Sequence, residues 1–513
     1  MARTGLLVIT NLSRLSQVLS AARHHVNKTL YVHLYPGYRN TNVSKSPPYY
    51  TRAVTTVYSQ AVKHCANIDV RILISSLKHP DANIKLQKPV EVILFDNALT
   101  KTETKDFLTS CLMKDVPVIV LHDKTEKAQG FNELCASTGE TVTHNNVVLG
   151  GTFDRLHVGH KILLSEAMLR ANKRVVVGVT ENSMLKSKTL FELIQPISKR
   201  MTDVEEFMQD VDNTLNYQIV SINDPFGPTK TDPDLQLIVV STETMKGGHA
   251  VNNVRGENGL EPLKIHCIEL IEGADNGEGK EHKLSSSNQR MNLLGTRLKE
   301  PKENLDLPKK PYLIGLCGGI ASGKSSVCQR LRKLGAGYIN CDTLAHDLYE
   351  PGQKCHYFLK QEFGCDIFDK QDNIDRSKLG AIVFSDKEKL NKLNSIVWPE
   401  LLTELKESIS KMYYDMSVDV IIVEAAVLLQ AAWENEFHEI WSCIIPEKEA
   451  VRRLQNRNNL SEENAIARIS AQLSNSEIVA KSNVIFCTNW SREYTQLQVE
   501  KAWSLLQQKL SKL

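Results

Sequence analysis

Short apolar runs bounded by polar turns alternate along this chain with longer stretches of helical spacing. Runs at Leu6–Thr10, Leu30–Leu34, Val70–Ile74, Val90–Phe95 and Val116–Leu121 predict buried strands in a first region, 1–143. A second region, 144–295, repeats the alternation. Strands are expected there at Val147–Gly150, Arg174–Thr180, Tyr217–Ile222, Leu235–Ser241 and Ile265–Ile271, with helices over 158–171, 197–211, 247–256 and 287–294. A third region, 311–513, opens with a strand at Tyr312–Cys317 and a helix from Lys324. Strands at Val418–Val423, Ile440–Ile445 and Val484–Cys487 follow, with helical patterns over 387–413 and 446–457. Strands alternating with helices predict parallel sheets covered on both faces, so all three regions read as α/β. Residues 296–310 are charged, carry Pro301 and Pro308, and read as an interdomain linker.

Composition narrows the classes. At 513 residues, 42% hydrophobic and 24% charged, the chain has the make-up of a globular protein. Its net charge of +2 supplies no global field for nucleic acid or anionic lipid, so any polyanionic substrate must meet local charge. The 11 cysteines contain no Cys-x-x-Cys pair and read as reduced thiols of an intracellular protein. No apolar run approaches the roughly 18–20 residues that cross a bilayer.

The N-terminus admits two readings. No acidic residue precedes Asp69, whereas Arg3, Arg14 and Arg23 do, and Leu12, Leu15, Leu19, Ala22 and Val26 share one helical face. That pattern suits a mitochondrial presequence. It also suits a first strand and helix of a folded βαβ unit, which is favoured because Thr29–Leu34 resumes as a strand. A cytoplasmic or mitochondrial location is therefore open.

Gly318-Gly319-Ile320-Ala321-Ser322-Gly323-Lys324-Ser325 is a complete phosphate loop between a strand and a helix. Its backbone N–H groups turn toward the β-phosphate of ATP, Lys324 bridges the β- and γ-phosphates, and the Ser325 hydroxyl is the expected Mg²⁺ ligand. The next strand ends in Asn340-Cys341-Asp342. Asp342 is either a base for a hydroxyl acceptor or merely the cap of the following helix. Arg452, Arg453, Arg457, Arg468 and Gln472 form a guanidinium-rich helix-loop-helix that suits a lid, with Arg457 and Arg468 as candidate lid arginines and solvated helix faces as the alternative for about half of the arginines.

The second region carries Gly150-Gly151-Thr152-Phe153-Asp154-Arg155-Leu156-His157-Val158-Gly159-His160 at a strand-to-helix turn. Preceded by GTFD, this His-x-Gly-His resembles the nucleotidyltransferase superfamily, which implies a Rossmann-like fold. In-line attack on the α-phosphorus of ATP needs positioned groups and charge stabilisation rather than a covalent intermediate. The resemblance implies that Gly151, Thr152, Phe153, His157, Gly159 and the catalytic His160 bind ATP. It adds Ser286, Ser287 and Arg290 from the later Leu284-Ser285-Ser286-Ser287-Asn288-Gln289-Arg290. Leu185-Lys186-Ser187-Lys188, Gln195-Pro196 and Arg200, together with Ser241–Thr244 and Arg255, resemble phosphopantetheine adenylyltransferases of the eukaryotic and archaeal type. There Thr152, Lys186 and Arg200 would meet the acceptor phosphate, with Lys188 a rival to Lys186.

The third region resembles dephospho-coenzyme A kinase through the P-loop, Asp342, Ile374–Gly380 and the arginine lid. It departs from that family at Trp398-Pro399, Gln430 and Glu424. Taken whole, the chain resembles the bifunctional coenzyme A synthases of animals. That resemblance implies adenylyl transfer from ATP to 4′-phosphopantetheine, then phosphorylation of the dephospho-CoA 3′-hydroxyl with Asp342 and Lys324 as catalytic groups. The implied partners are ATP, with its Mg²⁺, and the two pantetheine-bearing substrates; no nucleic acid is implied. Two alternatives remain: another transferase specificity, or a scaffold built on the first region.

Overall fold

The computed structural model describes residues 1–34, 47–79, 84, 86–111, 113, 115–122, 143–268, 285–384 and 386–512. Cys135, Leu284 and the end of the strand expected at Ile265–Ile271 lie outside these residues. The chain divides into two compact units, Met1–Gln289 and Arg290–Leu513. Among the described residues no helix is long and apolar enough to cross a membrane.

The first unit contains two parallel five-stranded sheets. One is built from β1 (Ala2–Ile9), α1 (Leu15–Ala22), β2 (Val26–Leu34), α2 (Pro47–His64), β3 (Asp69–Ile72), α3 (Ile74–Lys78), β4 (Val92–Phe95), α4 (Lys101–Ser110) and β5 (Val118–Val120). Its strand order is β3–β2–β1–β4–β5, so β1 lies at the centre, paired with β2 and β4. Leu6, Leu7, Val8 and Ile9 are fully buried, and α1 turns Leu15, Val18, Leu19 and Ala22 inward. The acid-free N-terminus is thus the middle of a folded sheet: its apolar face matches a core rather than a bilayer surface.

The other sheet comprises β6 (His144–Gly151), α5 (Val158–Arg170), β7 (Ala171–Thr180), α6 (Ile197–Val211), β8 (Asn216–Ile222), β9 (Leu237–Ser241), α7 (Met245–Glu257) and β10 (Lys264–Ile268), with α8 (Ser286–Leu293) following. The order is β10–β9–β6–β7–β8. The order reverses at β6, and a crevice opens beyond the carboxyl end of such a strand.

These two sheets share one continuous hydrophobic core. Leu7, Val54, Val57 and Tyr58 of the first pack in the same cluster as Leu149, Ile162, Ala167 and Phe207 of the second. Charged bonds cross the same seam. Asp210, 2% exposed, accepts from Arg71 Nη1 and Tyr31 Oη at 2.6 Å each and from the Gln87 N–H at 2.8 Å. Lys78 Nζ donates to the Met168 and Ala171 carbonyls and to buried Asp212. Removing one partner of such a buried pair costs about 3–5 kcal/mol, because the other is left without water or counter-ion.

The second unit is built from β11 (Tyr312–Gly318), α9 (Lys324–Lys333), β12 (Gly337–Asn340), α10 (Cys341–Asp347), α11 (Lys354–Phe363), α12 (Arg376–Phe384), α13 (Lys387–Met416), β13 (Val420–Glu424), β14 (Glu439–Ile444), α14 (Glu447–Asn458), α15 (Glu462–Ser470), α16 (Asn475–Lys481), β15 (Val484–Cys487) and α17 (Arg492–Leu510). Its sheet runs β12–β13–β11–β14–β15, again with the first strand central.

Residues 296–310, expected as a linker, are instead part of this unit's framework. Arg297 bridges to Val484 of the edge strand, and the Leu298 N–H donates to the Asn483 carbonyl. Arg297 Nη2 also reaches Glu439 at 2.9 Å. Glu439 is 1% exposed and accepts from Tyr312 and Trp441 as well, so Arg297 neutralises a charge that water cannot reach.

Candidate active sites

In the first unit, the turn between β6 and α5 brings the His-x-Gly-His segment to the carboxyl end of the sheet. Two non-glycine residues in it, Phe153 (φ 49°) and Arg155 (φ 50°), adopt the left-handed conformation. Such strain persists only where surrounding bonds over-determine it. Here the Arg155 N–H donates to Gln195 Oε1 at 3.0 Å, Gln195 N–H returns to Asp154 Oδ1 at 3.0 Å, and Arg155 Nη1 reaches the Leu193 carbonyl at 2.9 Å.

Arg200 completes the clamp, and it does so differently from the expected substrate contact. It is fully buried and donates to the carbonyls of Gln195, Thr152 and Thr180 at 2.9, 2.7 and 2.9 Å. Each guanidinium nitrogen holds one carbonyl, so in the structure Arg200 supports the turn. The Phe153 ring is fully buried against His160, with centroids 5.3 Å apart.

His157 stands at the N-cap position of α5 without a side-chain capping bond, and His160 lies in the first turn, the rings stacked at 3.8 Å. The Nδ1 atoms of both are buried without a hydrogen-bond partner. Burial lowers the His157 pKa to about 4, with Asp154 opposing and Lys161 reinforcing the shift. His160 is also held well below its ordinary range by burial, then by His157 and Lys188. Both imidazoles are therefore neutral at pH 7, a pair of dipolar donors and acceptors rather than cations.

Thr152 and Thr180 hydroxyls meet at 3.3 Å beside them. Ser286 Oγ donates to the Asp154 carbonyl at 3.2 Å, which joins the serine turn at the start of α8 to the histidine turn. Ser287 follows, and Arg290 lies buried one turn along the helix. Lys186 and Lys188 are both exposed, and Lys188 is the one whose charge acts on His160. In the sequence Gln195 and Asp154 stand only as parts of longer motifs. The reach of Asp154 to Gln195 across 41 positions left no local signal.

In the second unit, the phosphate loop has the geometry its glycines demand. Gly318 (φ 143°) would place a Cβ 2.2 Å from the Cys443 carbonyl oxygen, and Gly323 (φ 89°) would place one 2.8 Å from Thr488 Oγ1. Lys324 Nζ lies on the Gly318 and Gly319 carbonyls at 3.0 and 3.1 Å. Ile320 N–H donates to Gln472 at 2.7 Å, and Arg453 grips the Ala321 carbonyl and Thr488.

Asn340 and Glu424 are register partners at the ends of β12 and β13. Glu424 is buried and accepts from Ser325 Oγ at 2.7 Å and Tyr338 Oη at 2.6 Å. Asn340, not Asp342, caps α10: its Oδ1 accepts from the Asp342 and Thr343 N–H groups at 2.8 and 3.2 Å. The exposed Asp342 carboxylate is left facing a cavity of about 740 Å³ with Lys324, Ser325, Glu424, Arg453 and Arg457. Of the two lid arginines Arg457 lines that cavity, whereas Arg468 lies on an exposed face of α15. Asn340 two residues before Asp342 was a legible capping signal; Thr488 and Tyr338 carried none.

The folds and these two constellations define a Rossmann-like nucleotidyltransferase followed by a P-loop kinase. Residues 312–492 match the dephospho-CoA kinase family, 148–297 the cytidylyltransferase-like family, and 3–109 the COASY N-terminal domain. The dephospho-CoA kinase of Carboxydothermus hydrogenoformans is 39% identical over 187 residues, 36% of this chain and 90% of that protein. The phosphopantetheine adenylyltransferase of Pyrococcus abyssi is 46% identical over 125 residues, 24% of this chain and 78% of that protein. That of Saccharomyces cerevisiae is 38% identical over 139 residues, 27% of this chain and 45% of that protein. The chain belongs to the phosphopantetheine adenylyltransferase and dephospho-CoA kinase families, joined in one polypeptide as in a bifunctional coenzyme A synthase.

Proposed function

We infer that this enzyme carries out the last two steps of coenzyme A synthesis, each in its own unit. In the first, a phosphate oxygen of 4′-phosphopantetheine attacks the α-phosphorus of ATP, giving dephospho-CoA and pyrophosphate. The observation that carries this reading is the pair of unpartnered imidazole nitrogens on His157 and His160, held neutral in a buried, pre-set turn. Fixed donors in a dry site stabilise developing phosphoryl charge without reorganising. Thr152 lies beside them for the acceptor phosphate, and Ser286 and Ser287 would take the β- and γ-phosphates. Lys188, whose charge acts on His160, or its rival Lys186 supplies positive charge to the entering phosphate.

In the second step the 3′-hydroxyl of dephospho-CoA attacks the γ-phosphorus of a second ATP. Asp342, relieved of capping by Asn340, accepts the hydroxyl proton. Lys324 and the loop N–H groups hold the phosphates, and Arg457 faces the transferring group. Mg²⁺ enters as part of the MgATP substrate; the Ser325 hydroxyl with the Glu424 carboxylate behind it is a hard-oxygen set that suits it.

ATP labelled at its α- or γ-phosphate tests the assignment. With 4′-phosphopantetheine the α-label should appear in dephospho-CoA and CoA, and the γ-label in CoA alone. Protein that binds ATP but labels neither product refutes the reading.

A further inference from the structure

We propose that Asp69 of the N-terminal sheet is a positioning residue of the adenylyltransferase site, fixing the histidine-bearing turn of α5 through Lys161. This rests on the adenylyl-transfer reading above. Lys161 directly follows His160, and its N–H donates to the His157 carbonyl at 3.0 Å, so its backbone closes the turn on which both imidazoles stand. Its side chain leaves that turn for the other sheet. The ammonium donates to Asp69 Oδ1 at 2.5 Å and to the Val70 carbonyl at 2.9 Å, at the first residues of β3. Lys161 is only 7% exposed, so no water replaces these partners.

Asp69 is itself fixed. Arg71 Nε donates to its other oxygen at 2.8 Å while Arg71 Nη1 holds Asp210 on α6. Burial alone would raise the Asp69 pKa, but Lys161 and Arg71 outweigh it and keep the carboxyl ionised. The middle of α5 is tied to the same sheet, with Thr51 Oγ1 on Glu166 at 2.7 Å, and its C-terminal carbonyls are held by Lys78. The helix that aims the catalytic imidazoles is therefore anchored at its start, middle and end by a region that contributes no residue to the histidine motif. The start of β3 also shares a cavity of about 510 Å³ with His157, Lys161 and Phe207, so Asp69 acts at the margin of the site itself.

The test uses full-length protein and assays each step separately, with MgATP and either 4′-phosphopantetheine or dephospho-CoA. Asp69→Asn should lower kcat of adenylyl transfer about tenfold or more while the acceptor KM and the kinase step stay within about twofold. Asp69→Glu should recover most of the loss. Because Asp69 acts through Lys161, Asp69→Asn combined with Lys161→Met should be no slower than Lys161→Met alone. Full kcat in Asp69→Asn overturns the proposal, as do losses that simply multiply in the double variant. If Asp69→Asn does not fold, the double variant, which leaves no unpaired lysine, carries the test: wild-type kcat there overturns the proposal. Wild type without adenylyl transfer is a separate result, and it sinks the underlying reading.

Discussion

The two sheets of the first unit have the same strand order. Counted from each region's own first strand, β3–β2–β1–β4–β5 and β8–β7–β6–β9–β10 both run 3–2–1–4–5. Each places the loop after its first strand at the reversal point, where such folds bind ligands. In the second sheet that loop is the strained histidine turn. In the first it is Thr10-Asn11-Leu12-Ser13, and Asp96 from the neighbouring β4 closes it. The Asp96 carboxylate, 1% exposed, accepts from the N–H groups of Thr10, Asn11 and Asn97 and from the Thr10 hydroxyl at 2.7–2.9 Å. The donors that could greet a phosphate are spent on an internal anion. Topology supplies the position, and the side chain on the adjoining strand decides whether it is a site.

The largest effect sets the scale from the kinase sheet, whose loop carries the Lys324 ammonium where the other site carries neutral imidazoles. Lys324→Ala should cost the kinase step about 10³-fold or more while adenylyl transfer continues, so dephospho-CoA accumulates in product mass spectra. His160→Ala should lower adenylyl transfer about 10²–10³-fold and leave phosphorylation of added dephospho-CoA intact.

Asp96→Ala probes the closed sheet. It should destabilise the first unit by about 1–3 kcal/mol in urea unfolding, since buried N–H donors lose their acceptor, without slowing adenylyl transfer. Nucleotide binding gained by this variant would break the contrast.

A smaller effect concerns pH. The His157 pKa is about 4 in the folded protein, below its ordinary 6.5. Between those values the unfolded chain binds more protons, so stability is full above pH 6.5 and falls as pH drops toward 4. Thermal melting at pH 7 and pH 5 should show this slope, and His157→Gln should reduce it, with His160 supplying part of what is left. Smallest, Arg468→Ala should change the kinase rate by no more than about twofold, against about tenfold or more for Arg457→Ala, which loses a charge facing the cavity.

The phosphate loop was readable from the chain because its determinants are contiguous: a strand, glycines at positive φ, a lysine and a hydroxyl. The histidine turn was readable for the same reason, and so was the α/β periodicity of every sheet. The hold of Arg200 on three carbonyls was not legible, because a buried arginine on carbonyls and one on a phosphate look alike in sequence. Arg297 was misread because charge suggests solvent, whereas its partner Glu439 lies 142 positions away in a buried strand. The Asp69–Lys161 pair, separated by 92 positions, had no local signature either.

The core that runs unbroken from Val57 to Ile162 has a consequence for cooperativity. A segment that shares another's interior cannot melt first and leave the remainder standing, so the described residues of the first unit should open as a single foldon. A destabilising change in the core beneath α2 of the N-terminal region, such as Val57→Ala, would then surface as a deficit of the first chemical step, remote from any substrate and invisible to the second.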